Sequence, residues 1–372
     1  MARPPSRAAF RPVGAALVAA LALCGLVRGA RADDVVLKGG SRLAGIVLER
    51  PEGDVRLLLP GGDEVRLAAA DVASVTLDPD APAQGAFLRF SKDGPRPGLQ
   101  AAVVSYVKPG APRVDLVGAV HAADAAYFRE TQRWLDRVDV VLYEMVKPKD
   151  ATPWARAEDA GRPESAVTGF QKSLARMFDF TFQLDQVDYR RTHFVHADMT
   201  AEEFLAAGGG EMTKETEAML ARVKPLLAIA EAAMRPPADA SPARRASAER
   251  LRRSVKEMLG RLLGSTGGNV GALLGGGEGG DLIIGKRDEV VMQRFDALPA
   301  GAHSVAIFYG AAHLPDLEKR LAARGYARAG ARWVTAWDVS PPPEAPAVPA
   351  PEPKAAPAPV EPAPVTPPSP TK

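Results

Sequence analysis

The chain has 372 residues, enough for one large domain or two smaller ones. Its 47 basic and 45 acidic residues leave a net charge of +2, which argues against nucleic acid as a main partner. One cysteine, Cys24, excludes a disulfide framework; if a leader containing it is removed, cysteine catalysis and thiolate-bound metal are excluded too.

Residues 1–32 read as a secretory signal. Arg3, Arg7 and Arg11 form a positive start, "VGAALVAALALCGLV" is an apolar stretch, and "ARA" before Asp33 fits cleavage after Ala32. The expected location is therefore periplasmic or extracellular. The apolar run is shorter than the roughly 18 residues of a spanning helix, so an uncleaved anchor is the weaker alternative. Leu23, bulky where a small residue is expected, argues against a lipid anchor on Cys24.

Residues 33–80 carry short β-prone runs broken by Gly-Gly, Pro-Glu-Gly and Gly-Gly-Asp turns, which predicts a small all-β unit, an SH3-like or Sm-like barrel of about four or five strands. It holds no histidine, so packing or partner binding is its expected role. "PDAPAQG", 79–85, reads as a linker. Residues 86–338 read as an α/β domain with a mixed sheet and βαβ units. "GLQAAVVSYV" and "RVDLVGAVH" are two strands joined by the hairpin signal "KPGAP". "AADAAYFRETQRWLDRV" has helical spacing, and "DVVLYEMV" is the continuous apolar run of a strand buried on both faces. A helical insertion follows over about 164–263. It includes "SAVTGFQKSLARMFDF", "TAEEFLAAG" with Thr200 as N-cap and Glu203 completing a capping box, and longer helices at 213–235 and 242–263. The arginines of the last helix read as its solvated face. "GSTGGNVGALLGGGEGGD", 264–281, is a glycine-rich loop whose functional reading is a lid. Then come a helix in "LIIGKRDEVVMQRFDALP" with Arg287 near its start, a strand in "HSVAIFYGAAH", a helix in "LPDLEKRLAARG" and a closing strand or strand pair in "YARAGARWVTAWDV". From Pro341 to Lys372, alternating Pro and Ala predict an extended disordered tail, a means of contact with the cell envelope.

Of five histidines, two stand in Gly-x-x-His motifs at strand-to-helix junctions: His121 after "DLVG" and His313 after "FYG". Glu144 ends the strand "DVVLYE". In open α/β sheets ligands bind outside the carboxyl ends of the strands, so these three groups are expected on one sheet edge. Two imidazoles and a carboxylate suit a divalent metal with open positions for water, and any metal here must take His and carboxylate ligands. The glycine of each motif permits a close backbone approach. His193 and His196 are spaced His-x-x-His in an extended run that points them to opposite faces, so they are not joint ligands; His196 or Asp198 reaches the site from a neighbouring loop instead. His303 falls in an exposed turn. Arg287 is a candidate for polarising a carbonyl oxygen, and Tyr309 is core whose hydroxyl reaches the sheet edge.

"DLVGAVHAADAAYF", "DVVLYEMV", "QLDQVDYRRTHFVHADMTAEEF", "IGKRDEVVMQRF" and "VAIFYGAAHLPDLEKRL" resemble the TraB/PrgY/GumN family. That family belongs with the Tiki metalloproteases, the erythromycin esterases and the ChaN-like haem-binding proteins. The resemblance covers 86–338. It implies a metal site of His121, Glu144 and His313 cleaving peptide bonds, with manganese or cobalt favoured and zinc as the alternative. Arg287 matches the family arginine. Asp288 follows it where such proteins often have Asn, adding a negative charge beside the site.

The expected function is an exported metal-dependent hydrolase acting on a peptide or protein substrate. Glu144 and Arg287 are its catalytic candidates, and Tyr309, His196, Asp198 and Asp288 are the supporting residues. The alternative is a non-catalytic envelope protein that binds haem, a metal or a peptide signal.

Overall fold

The structure is a computed structural model describing residues 33–50, 54–59, 63–93, 96–151, 172–173, 175–267 and 278–341. The expected signal, the first half of the helix expected from 165, the centre of the glycine-rich loop and the tail from 342 lie outside the described residues. Among those described, no helix is long and apolar enough to cross a membrane.

The chain is mixed α/β. Strands β1 (Asp33–Leu37), β2 (Arg42–Glu49), β3 (Val55–Leu58), β4 (Glu64–Leu67) and β5 (Val72–Thr76) form an antiparallel sheet in the order β4-β3-β2-β1-β5. Its small core is Val35, Leu43, Val47, Val55, Leu57, Leu59 and Leu67. Other side chains of the same strands, Ile46, Leu48 and Leu58, belong to the main core. The segment 79–85 is not a free linker: Asp80 takes two hydrogen bonds from the Arg89 guanidinium at 2.7 Å, its carbonyl accepts from Trp333, and the Gly85 N–H donates to Glu318 at 2.7 Å. Its Pro and Gly suggested flexibility, but the polar groups around it are satisfied by the larger sheet.

That sheet has seven strands. The order is β12 (Phe194–His196), β10 (Val140–Tyr143), β13 (Ser304–Gly310), β8 (Arg113–Ala119), β7 (Gly98–Val107) and β14 (Ala327–Asp338), with β6 (Leu88–Ser91) also paired to β7. β12, β10, β13 and β8 run parallel, while β6, β7 and β14 are antiparallel additions. Every residue of β8 and β10 is buried, as expected of parallel strands covered on both faces. A two-stranded ribbon of β9 (Ala122–Ala123) and β11 (Thr181–Phe182) sits just past the end of β8.

Helix α1 (Ala125–Leu135) buries Tyr127, Phe128, Thr131, Trp134 and Leu135. The single turns α2 (Gln183–Gln186) and α3 (Ala201–Phe204) follow; Thr200 and Glu203 form the expected reciprocal cap on α3. The long helices are α4 (Gly210–Met234) and α5 (Pro242–Ser265). α5 lies on β6 because Gly260 and Gly264 lack side chains: a Cβ at Gly260 would stand 2.8 Å from the Phe90 ring, and one at Gly264 would meet the Phe90 backbone. Lys256 on α5 reaches both Asp124 oxygens, at 3.0 and 3.2 Å, tying this helix to the end of β9. α6 (Glu278–Asp296) begins inside the glycine-rich segment, earlier than its sequence suggests, so Arg287 is mid-helix rather than near the start. Burial of Asp288, Val291, Met292 and Phe295 along one stripe outweighs the poor helix propensity of glycine. α7 (Leu314–Ala323) and β14 complete the fold; β14 is one long strand, not a pair.

One buried acid stitches the layers. Asp115 on β8 is fully buried and accepts from Ser105 at 2.6 Å, Trp134 at 3.0 Å and the Arg113 Nε at 3.1 and 3.2 Å. Arg113 also pairs with Glu64 of the small sheet. Removing the carboxylate leaves Arg113 buried beside no charge on that side. Asp115→Ala is therefore expected to lower the stability seen in urea unfolding by about 3–5 kcal/mol; a loss below about 1 kcal/mol would contradict this role.

Candidate active site at the carboxyl edge of the sheet

The ends of four parallel strands converge. His121 lies two residues past β8, Glu144 one past β10, Asp198 two past β12 and His313 three past β13. The registers Tyr143↔Phe308, Tyr143↔His196 and Gly310↔Ala119 bring these ends level.

Glu144 is the centre. Its Oε1 accepts from Arg287 Nη2 at 2.5 Å, and its Oε2 accepts from the Gly310 N–H at 2.5 Å. The missing side chain of Gly310 matters here, since a Cβ would stand 3.1 Å from Glu144 Oε2. Arg287 comes from α6 and grips Asp198 in a fork, Nε to Oδ1 at 2.9 Å and Nη2 to Oδ2 at 2.6 Å. The Asp198 side chain is fully buried, and those of Arg287 and Glu144 are 13% and 11% exposed. Burial is the largest influence on Glu144 and pushes its carboxyl up; the charges of His313, Arg287 and His121, with the Gly310 N–H, outweigh it and hold the group at about 2. Burial disfavours the Arg287 charge, but Asp198 and Glu144 more than compensate and raise it.

His313 is buried at the N-cap of α7. Its Nδ1 is 2.7 Å from Asp288 Oδ1, and its Nε2 is 3.7 Å from Glu144 Oε1 and 3.4 Å from Arg287 Nη1. Burial opposes its charge, yet Asp288 and Glu144 hold the imidazole above its ordinary value. Asp288 is fully buried and its Oδ2 has no hydrogen-bond partner among the described residues. Burial, against the pull of His313 and with help from Asp316, pushes its carboxyl up to about 6. His121 is exposed, and its Nδ1 is 2.9 Å from Gln183 Oε1.

Of the supporting residues expected from sequence, Asp198 touches Arg287 and Asp288 touches His313. Tyr309 is core, and its hydroxyl donates to the Ala197 carbonyl, steadying the loop that carries Asp198. His196 does not join the centre: its Nε2 is 2.6 Å from the Met145 carbonyl and its ring meets Tyr143 edge-on. Burial holds His196 below its ordinary value, outweighing the Asp198 charge, which is near enough to favour the His196 cation. His193 is spent on the Leu135 carbonyl at 3.0 Å, and His303 is exposed as expected. Gln183 and Tyr189 were not visible as site residues. They fall in "QLDQVDY", a stretch quoted for the family resemblance, but a pairing of two residues with Ala122–Ala123 cannot be read from one strand.

Among the described residues, no group of three or more His, Cys, Asp or Glu side chains is gathered tightly enough to hold an ion. The donor chemistry nevertheless fits a divalent ion. Each motif histidine has Nδ1 against an oxygen, Asp288 or Gln183, the support usual behind metal-bound imidazoles, and each offers Nε2. The opposing feature is Arg287, whose Nη1 shares the His313 Nε2 lone pair. Two open recesses, about 420 Å³ beside Asp139, His193 and Arg294 and about 580 Å³ beside Arg89, Phe90 and Arg261, are not bordered by Glu144, Arg287 or His313. The convergent polar cluster, rather than either of these recesses, is the candidate site.

No family model matches the chain, and neither a curated protein nor a solved structure matches it.

Glu144 gives the site a pH signature. Its folded value is depressed, so the unfolded chain binds more protons between about 4.5 and about 2. The stability it contributes is complete above that window and is lost as pH falls through it. In chelator-treated protein, wild type should lose on the order of 3 kcal/mol more than Glu144→Gln across the window. Parallel stability curves for the two proteins would contradict the assignment.

Proposed function

We propose that the chain is an exported metal-dependent hydrolase of peptide or amide bonds, related to the TraB/PrgY/GumN group, with His121, Glu144 and His313 as ligands of a manganese or cobalt ion, or of zinc. The observation that carries this reading is the approach of an oxygen to both Nδ1 atoms, which turns the two Nε2 atoms, that of His313 shared with Arg287, and a carboxylate ionised at neutral pH toward one edge. When bound, the ion would supply Lewis-acid polarisation of the scissile carbonyl and acidify a water toward neutrality.

The rest falls to the protein's own groups. A carboxyl held at about 2 is a weak proton acceptor at neutral pH, which favours Glu144 as a ligand over a general base. Asp288 holds the His313 ring, and Asp198 holds Arg287. Arg287 has two of its nitrogens engaged with acids, while Nη1, 3.4 Å from His313 Nε2, has a second hydrogen for an oxyanion developing on the substrate. We read the small antiparallel sheet as an SH3-like or Sm-like unit for partner binding. The passages β8–α1–β10 and β13–α7–β14 bring the chain back across the sheet, the first as a βαβ crossover. The leader and Pro-rich tail support export and contact with the envelope.

A second reading is favoured by one feature: Glu144, Asp198 and Arg287 satisfy one another without an ion. On that reading the edge binds haem, a metal or a peptide signal without turnover. Metal analysis and a peptide-library cleavage assay with added manganese separate the two. The hydrolase reading expects about one ion per chain in wild type, loss of it in His121→Ala and His313→Ala, and a fall in turnover of about 100-fold or more in Glu144→Gln and Arg287→Met. Equal metal content in all variants would end the metal site, and binding without cleavage would favour the second reading.

A further inference from the structure

We propose that Gln183 is a positioning residue that fixes His121 as the Nδ1–H tautomer, with the Tyr189 hydroxyl receiving the other end of the amide. Pairing of β9 with β11, Thr181↔Ala123 and Phe182↔Ala122, puts Gln183 opposite His121. Its backbone N–H donates to the His121 carbonyl at 2.9 Å. Its Oε1 is 2.9 Å from His121 Nδ1, and its Nε2 donates to the Tyr189 hydroxyl at 2.7 Å. Gln183 and Tyr189 are 5% and 6% exposed, so the amide is held from the buried side while the His121 ring faces solvent. The Tyr189 ring is itself held edge-on by Tyr143, the last residue of β10, with centroids 4.9 Å apart.

An amide has one donor end and one acceptor end. With Nε2 committed to Tyr189, the end facing His121 is the oxygen, which has no hydrogen to give. The proton of the neutral ring must then sit on Nδ1, and Nε2 keeps its lone pair. Free imidazole side chains in water prefer the opposite arrangement, so the contact does work that solvent would not. The second motif histidine has the same support in a different electrical form: Asp288 faces His313 Nδ1 with a carboxyl, whereas Gln183 faces His121 with a neutral amide. The amide orients the ring without placing a charge behind it.

The tautomer is read from nitrogen-15 NMR of histidine-labelled, metal-free protein at about pH 8, where imidazole is neutral. The His121 signals are identified by their loss in His121→Asn. The expected wild-type pattern is a protonated Nδ1 and an unprotonated Nε2. Gln183→Glu, which keeps an oxygen in place, should retain it, and Gln183→Leu should shift the proton to Nε2. Tyr189→Phe leaves Gln183 in place and serves if the leucine variant does not fold; a second tautomer should appear. An Nε2–H ring in wild type, or an unchanged pattern in both Gln183→Leu and Tyr189→Phe, would overturn the proposal. A calorimetric titration with manganese rests on the metal reading above: Gln183→Leu should bind about 10–100-fold more weakly than wild type, and unchanged affinity counts against the positioning role. If wild type binds no manganese, the metal reading fails, and the tautomer measurement alone decides the role of Gln183.

Discussion

The carboxyl edge of the sheet depends on one guanidinium. Glu144 and Asp198 are both acids, both largely removed from water, and both carried by neighbouring parallel strands. Two such charges repel, and each alone is costly to bury. Arg287 lies between them, with a fork on Asp198 and a third bond on Glu144. The helix that carries it must therefore pack with Asp288, Val291 and Met292 inward, and Asp288 is thereby delivered to His313. One ion-pair triad thus links the position of α6, the loop after β12 and the ionised state of the acid after β10.

Around this triad the backbone is part of the site. Gly310 gives Glu144 an N–H and also the room to receive it, because a side chain there would press on the carboxylate. The two motif histidines then flank a carboxylate that does not lose its charge at any ordinary pH. Their supports differ by a full charge, which separates the two rings chemically although the motifs look alike in sequence. Asp288, with one oxygen unpartnered and its carboxyl pushed up to about 6, stores part of that difference.

Much of this edge was legible because parallel strands obey a simple rule: an apolar run followed by a polar residue marks a carboxyl end. That rule picked out His121, Glu144 and His313, and strand–helix order placed them on one sheet. Arg287 was noticed from its place on a helix and Asp288 through the family resemblance, but the partners of Arg287 could not be assigned, since ion pairing across 89 and 143 residues has no local signature. The start of α6 was misplaced because glycine propensity is a local prior and burial is not. Gln183 was hidden for a similar reason: its role is created by a two-residue ribbon too short to leave a pattern. The small sheet was expected from its turns, while the packing of 79–85 was missed because Pro and Gly report backbone freedom, not the contacts that remove it.

The central claim is that His121, Glu144 and His313 serve one ligand at this edge. Diffraction from manganese-soaked crystals, recorded at the manganese absorption edge, tests it most directly. The account predicts an anomalous peak bounded by those three side chains, with Arg287 still held by Asp198. Full-occupancy manganese bound elsewhere on the protein, with no peak at this edge and the Glu144–Arg287 pair unchanged, would contradict it.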